Sequence, residues 1–91
     1  MIFKIKLWGQ LKQLNGDEFR SVELTDKPTI ENLLKKLAVE AQAISHFLVD
    51  EKKALSTSIL VFINGNQYVW GATGDIKESD EITLMSPIAG G

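Results

Sequence analysis

Pro28-Thr29-Ile30-Glu31-Asn32-Leu33-Leu34-Lys35-Lys36-Leu37-Ala38-Val39-Glu40-Ala41 reads as one amphipathic helix. Thr29 stands where an N-cap belongs, and Glu31 puts a carboxylate in the first turn, where the helix dipole favours negative charge. Ile30, Leu33, Leu34, Leu37 and Ala41 recur at three- and four-residue spacing and form an apolar stripe. Glu31, Lys35, Lys36 and Glu40 fall on the other side. The pattern predicts a helix from about residue 30 to about residue 42, lying against a sheet face.

Strand patterns flank it. Upstream, residues 2–8 alternate, with Phe3, Ile5 and Leu7 on one side and Lys4, Lys6 and Trp8 on the other. Gly9 ends that strand. Leu11 and Leu14 then follow at helical spacing before the turn signal Asn15-Gly16. Residues 18–24 form a second strand candidate, with Val22 and Leu24 facing inward, joined to the first as a long-looped hairpin. Downstream, Phe47 and Leu48 are expected at the core edge, and Asp50-Glu51-Lys52-Lys53 forms a solvated turn. The run Ile59–Ile63 is continuously apolar and rich in β-branched residues, which predicts a central strand buried on both sides. Asn64-Gly65 closes it with a hairpin turn, after which Gln67–Trp70 pairs briefly. Ser79-Asp80-Glu81 turns into the last strand, Ile82–Met85.

The order is therefore β-β-α-β-(β)-β, with one long helix covering one sheet face. That is a two-layer α+β domain. It matches the β-grasp (ubiquitin-like) arrangement, in which the first and last strands lie side by side and parallel at the centre of a mixed sheet. The other face of the sheet carries no helix.

At 91 residues the chain has room for one domain, 1–91. Ten Lys+Arg against twelve Asp+Glu give a net charge of −2, which argues against a basic nucleic-acid footprint. Its longest apolar run is far too short to span a membrane, and the alternation in MIFKIKLW is unlike a secretory signal, so a cytoplasmic address is expected. There is no cysteine, hence no disulfide, thiolate-held zinc or iron–sulfur cluster, and no thiol nucleophile. An electron-transfer ferredoxin on the same fold is excluded on that ground. The single histidine, His46, is too little for a His-built metal site or a Ser–His triad, and no metal site is expected.

What remains as a chemical handle is the tail. Ser86-Pro87-Ile88-Ala89-Gly90-Gly91 follows directly on the last strand, so its base is anchored. Two glycines make the slimmest backbone, able to thread a narrow channel with the terminal carboxylate leading. A frayed terminus of small residues is the plainer alternative. Taken whole, the chain resembles the ubiquitin-like sulfur carriers of the MoaD/ThiS family, and among them the small subunit of molybdopterin synthase. The resemblance runs through the strand entering Gly9-Gln10-Leu11, through Pro28-Thr29-Ile30-Glu31 and through Val61-Phe62-Ile63-Asn64. Its specific part is Asp80-Glu81-Ile82-Thr83-Leu84-Met85 leading into the Ala89-Gly90-Gly91 end. Ser86-Pro87 stands where carriers of the molybdopterin type often show paired prolines.

The resemblance implies a mechanism. A carboxylate is a poor electrophile, so a partner adenylyltransferase related to the ubiquitin activators would spend ATP to convert Gly91 into an acyl-adenylate. A persulfide or similar donor would then displace AMP and leave a thiocarboxylate. In the molybdopterin-type version the tail enters the large synthase subunit and gives its sulfur to a pterin precursor, making the dithiolene that holds molybdenum or tungsten. Gly91 is thus the reacting end and Gly90 part of its slim tail, residues 87–91. Catalytic side chains are expected on the partners, no cofactor is bound by the chain itself, and neither nucleic acid nor membrane is a partner. Carriage of sulfur to tRNA thiolation or thiazole synthesis, and ubiquitin-like protein modification, share the same activation. A non-covalent β-grasp binding module with incidental glycines is the alternative from another class.

A carrier needs a docking face. Strand alternation sets Trp8 and Met85 together on the helix-free side, where Leu60 and Phe62 can join them. An apolar patch on an uncovered face usually marks a partner site. Trp8, Phe62, Met85, Pro87 and Ile88 are therefore the candidate partner contacts, against the simpler reading that Trp8 shields a sheet edge. Asp75, Glu78, Asp80 and Glu81 make the base of the tail acidic.

Overall fold

The computed structural model describes residues 1–72 and 74–86. Alternation gives β1 (Ile2–Leu7), in which Phe3, Ile5 and Leu7 are fully buried. Gly9, at φ 60°, turns the chain into a short helix, α1 (Gln10–Asn15), of which only Leu11 is buried. Leu14, at helical spacing from it, stays exposed. Gly16 in the left-handed conformation ends α1, and its N–H donates to the Lys12 carbonyl at 3.0 Å. β2 (Phe19–Glu23) then pairs antiparallel with β1, burying Val22.

The long helix, α2, spans Ile30–Glu40. Thr29 Oγ1 accepts the Asn32 N–H at 3.1 Å, so the cap forms as the sequence predicts. Ile30, Leu33, Leu34 and Leu37 face the sheet and are buried. The helix stops two residues short of the expected end. Ala41 leaves helical geometry, and the Gln42 side chain donates back to the Val39 carbonyl at 2.7 Å, satisfying an orphan acceptor of the last turn. A 3₁₀ turn (Gln42–Ile44) and α3 (Ser45–Leu48) follow, burying Ile44 and Leu48 fully. Phe47 packs half-buried at the core edge, and the exposed Asp50–Lys53 turn is held by Asp50 Oδ1, which accepts from the Lys52 and Ala54 N–H groups.

β3 (Leu60–Ile63) and β4 (Asn66–Gln67) form a hairpin across Asn64-Gly65, whose φ of 53° and 83° are those of a type I′ turn. β5 (Ile82–Met85) completes a five-stranded sheet of order β2-β1-β5-β3-β4. β1 and β5 are parallel neighbours, and β5 is the middle strand. One expectation is corrected. The Ile59–Ile63 strand is neither central nor buried on both sides: Ile59 and Val61 are buried, while Leu60, Phe62 and Ile63 are only partly covered. Continuous apolarity arises here because the second face, which no helix of the described residues covers, carries Leu60 and Phe62.

Tyr68 and Trp70, ring edge to ring face at 5.3 Å, pack against the core beyond β4. Burial pushes the Tyr68 phenol pKa up, and the Glu31 carboxylate adds to the shift. Among the described residues no helix is long and apolar enough to cross a membrane.

Candidate functional site

The middle strand places the site. β5 is held on one side by β1, in the register Ile5↔Ile82, Lys6↔Thr83 and Leu7↔Leu84, and on the other by β3. Trp8 lies just past β1, yet its N–H still donates to the Leu84 carbonyl at 3.0 Å. The parallel register therefore carries Trp8 alongside Met85, and Leu60 is the direct partner of Met85 from β3. Trp8, Met85 and Leu60 form a row across the helix-free face, at the end of β5 from which the chain continues through Ser86. Phe62, opposite Thr83, stands in the next row. Trp8 is 49% exposed, and Leu60, Phe62 and Met85 are half-buried.

The face is not purely apolar. Lys6, paired with Phe19 and Thr83, continues the Phe62 row toward β2. The Lys4 ammonium sits 4.2 Å from the centre of the Phe19 ring, and that of Lys6 5.7 Å from the Trp8 ring. Lys6 also reaches Glu18 at 3.7 Å, an exposed pair of small energetic weight. Two ammonium groups thus border the apolar row on the β1–β2 side.

The other end of β5 is tied down by polar contacts. Asn64 Nδ2 donates to Asp80 Oδ1 at 3.0 Å, and Asn64 Oδ1 accepts the Glu81 N–H at 2.9 Å. The Asn64 N–H donates to the Glu81 carbonyl at 2.8 Å. Asp80 Oδ2 accepts the Lys77 N–H at 2.8 Å. The bond from the Lys77 N–H, then that from Asn64, holds the Asp80 carboxyl below its ordinary pKa, with the Lys77 charge helping. One turn thereby locks the β3–β4 hairpin to the entry of β5. Glu78 Oε2 accepts the Ile2 N–H at 2.6 Å, continuing the β1 ladder where β5 has not yet begun.

The structure brings the predicted contacts Trp8, Phe62 and Met85 onto one face. Pro87, Ile88, Gly90 and Gly91 lie outside the described residues. Phe19, Lys4 and Lys6 were not among the predicted contacts. Phe19 was findable, because odd positions in 18–24 alternate with the inward Val22 and Leu24. The Asn64–Asp80 lock had no local signal, since its partners are 16 residues apart. Among the described residues no group of three or more His, Asp or Glu side chains is placed to hold a metal ion.

The ThiS family model matches residues 5–91, nearly the whole length and including Gly90-Gly91. The chain belongs to the ThiS family. It is accordingly a ubiquitin-like β-grasp domain of the sulfur-carrier and modifier group. Solved structures share the fold. The crystal structure of SAMP1 from Haloferax volcanii superposes with a TM-score of 0.81 at 23% identity, covering 100% of both chains. The solution structure of small archaeal modifier protein 1 from Methanosarcina acetivorans is 28% identical, with a TM-score of 0.75, covering 99% of this chain and 96% of that one. A Pyrococcus furiosus protein assigned as molybdopterin converting factor subunit 1 has a TM-score of 0.72 at 18% identity, covering 97% and 99%. At such identities the first and third establish the fold alone. No curated protein matches the chain.

Proposed function

We propose that this ThiS-family chain is a cytoplasmic sulfur carrier that serves as the small subunit of a molybdopterin synthase. The observation that carries the reading is the family match through the Ala89-Gly90-Gly91 end. Support comes from the Trp8–Met85–Leu60 row, which lies at the end of β5 from which the chain continues through Ser86. In this reading the Gly91 carboxylate attacks the α-phosphate of ATP on an adenylyltransferase partner, and pyrophosphate leaves. The terminal sulfur of a donor persulfide then displaces AMP from the acyl carbon to give an acyl disulfide, and a donor-side thiol takes the remaining donor sulfur as a disulfide, leaving the thiocarboxylate. The tail next enters the large subunit and passes sulfur to a pterin precursor. Gly90 keeps the approach slim, while Trp8, Phe62, Met85, Pro87 and Ile88 make the contacts that bring each partner to it.

A second reading is favoured by the likeness to small archaeal modifier proteins. There the activated Gly91 carbonyl is passed to an amine of another protein, forming an isopeptide bond. Sulfur delivery to tRNA or thiazole differs only in the acceptor.

One experiment separates them. The chain is incubated with ATP, an activating enzyme and a sulfur donor, and its intact mass is measured before and after addition of a large synthase subunit with its pterin precursor. The carrier reading expects a mass gain of one sulfur for oxygen exchange, reversed only by large subunit and precursor together. Isopeptide adducts instead of sulfur turnover would establish the modifier reading, and no change with ATP would leave the binding module.

A further inference from the structure

β2 is an edge strand of five residues with an accessible backbone. The Leu7 N–H donates to the Glu18 carbonyl, and Met1 and Leu24 exchange bonds, so alternate pairs of the β1–β2 ladder are the bonded ones. By that alternation the N–H and C=O groups of Phe19, Ser21 and Glu23 point away from β1. The Phe19 N–H meets its neighbour Asp17 Oδ1 at 3.5 Å. Among the described residues, no backbone bond takes up the outward groups of Ser21 and Glu23.

Edge strands are normally protected by brevity, proline, bulges or lysine. The opposite edge, β4, is only two residues long. β2 has no proline, bulge or lysine; its charged residues are Arg20, whose guanidinium is engaged within the chain, and Glu23. Its pairing with β1 is unbroken one-to-one from Phe19 to Glu23, and Phe19 remains 40% exposed.

We propose that the β2 edge pairs with the β2 edge of a second copy of this chain. An antiparallel two-fold register centred on Ser21 sets Ser21 against Ser21 with the smallest side chains at the axis. Phe19 then lies opposite the other copy's Glu23, twice by symmetry. The carboxylate arriving there meets the Lys4 ammonium already stationed over the Phe19 ring. Charge and register are thus self-complementary. On the helix side, Arg20 falls opposite Val22, and its guanidinium is already bound to the Glu40 carbonyl at 2.9 Å and to Asn15 Oδ1 at 3.1 Å. The two sheets continue into one, with both Trp8–Met85–Leu60 rows on the same uncovered side. Two short strands bury far less than the roughly 800 Å² per partner of a standard interface, so the association is weak and reversible.

Sedimentation equilibrium from about 10 µM to about 1 mM tests this, with amide shifts followed over the same range. The expected result is a concentration-dependent dimer, with shifts centred on Ser21 and Glu23. Ser21→Pro removes only an outward donor, because its N–H takes no part in the β1 ladder, and it abolishes dimerisation while keeping the folded spectrum. Lys4→Glu and Glu23→Lys each weaken the dimer about tenfold, and the double variant recovers it. Should Ser21→Pro fail to fold, the charge swap alone decides. A wild-type monomer at the highest concentration overturns the proposal, as do shifts confined to Trp8, Phe62 and Met85, or a double variant no better than the singles. Binding of an extended segment of another protein at Ser21 and Glu23, without self-association, overturns it in favour of that partner. None of these readouts uses sulfur transfer, so the result is independent of the proposed function.

Discussion

Asn64 and Asp80 are joined side chain to side chain at 3.0 Å across 16 residues, and this contact fixes where the middle strand begins. Asn64 occupies the first left-handed position of the β3–β4 turn, a conformation its short polar side chain tolerates. The same amide that suits the turn also serves the strand that leads to the tail.

Asn64→Ala gives up two side-chain bonds at once, to Asp80 and from Glu81. It should lower unfolding free energy by about 1–3 kcal/mol, read from urea denaturation. Asn64→Gly, which keeps the turn but not the bonds, separates backbone preference from the lock.

The Asp80 carboxyl gives the lock a pH dependence. Its pKa is lowered in the folded chain by the Lys77 N–H and Asn64 bonds. The stabilisation is therefore fully present above the ordinary carboxylate pKa, about 3.9, and is lost as pH falls through the lower folded value. Thermal melts between about pH 6 and pH 2 should show Asp80→Asn losing less stability on acidification than the parent. An identical slope for both would remove Asp80 from the account.

Trp8→Ala, Phe62→Ala and Met85→Ala should each weaken binding to the adenylyltransferase or to the large subunit by about 1–3 kcal/mol where the residue is a hot spot. All three are partly exposed on the open face, so melting temperature should move little. Calorimetry with both partners checks this, and unchanged affinities throughout would assign the face another purpose.

Deleting Gly91, or adding residues after it, should abolish thiocarboxylate formation while leaving the melting temperature nearly unchanged. In the proposed function the reacting carbon is placed by chain length, and losing one residue withdraws it by up to about 3.3–3.6 Å, enough to lose an aligned attack. Among the described residues the last strand ends at Met85, six residues before Gly91. Intact mass after incubation with ATP, activating enzyme and sulfur donor reads the outcome. A truncated chain that still accepts sulfur would show that another group carries it.

Periodicity alone determined the elements that bury one face. The stripe from Ile30 to Ala41, the alternation in Ile2–Leu7 and the run Ile82–Met85 each state locally which side chains must leave water, and each element forms there. The tail end Ala89-Gly90-Gly91 is legible from residue identity alone, and the ThiS family match runs through it. Tertiary structure decided what depends on neighbours. The apolarity of Ile59–Ile63 does not say whether a second layer covers the strand, and only the sheet order shows a half-open strand beside β5. Likewise Lys4 over Phe19, Asn64 on Asp80 and the bare edge of β2 arise from register between distant segments. A strand's own sequence sets which way its side chains alternate; pairing with another strand sets which residues they meet.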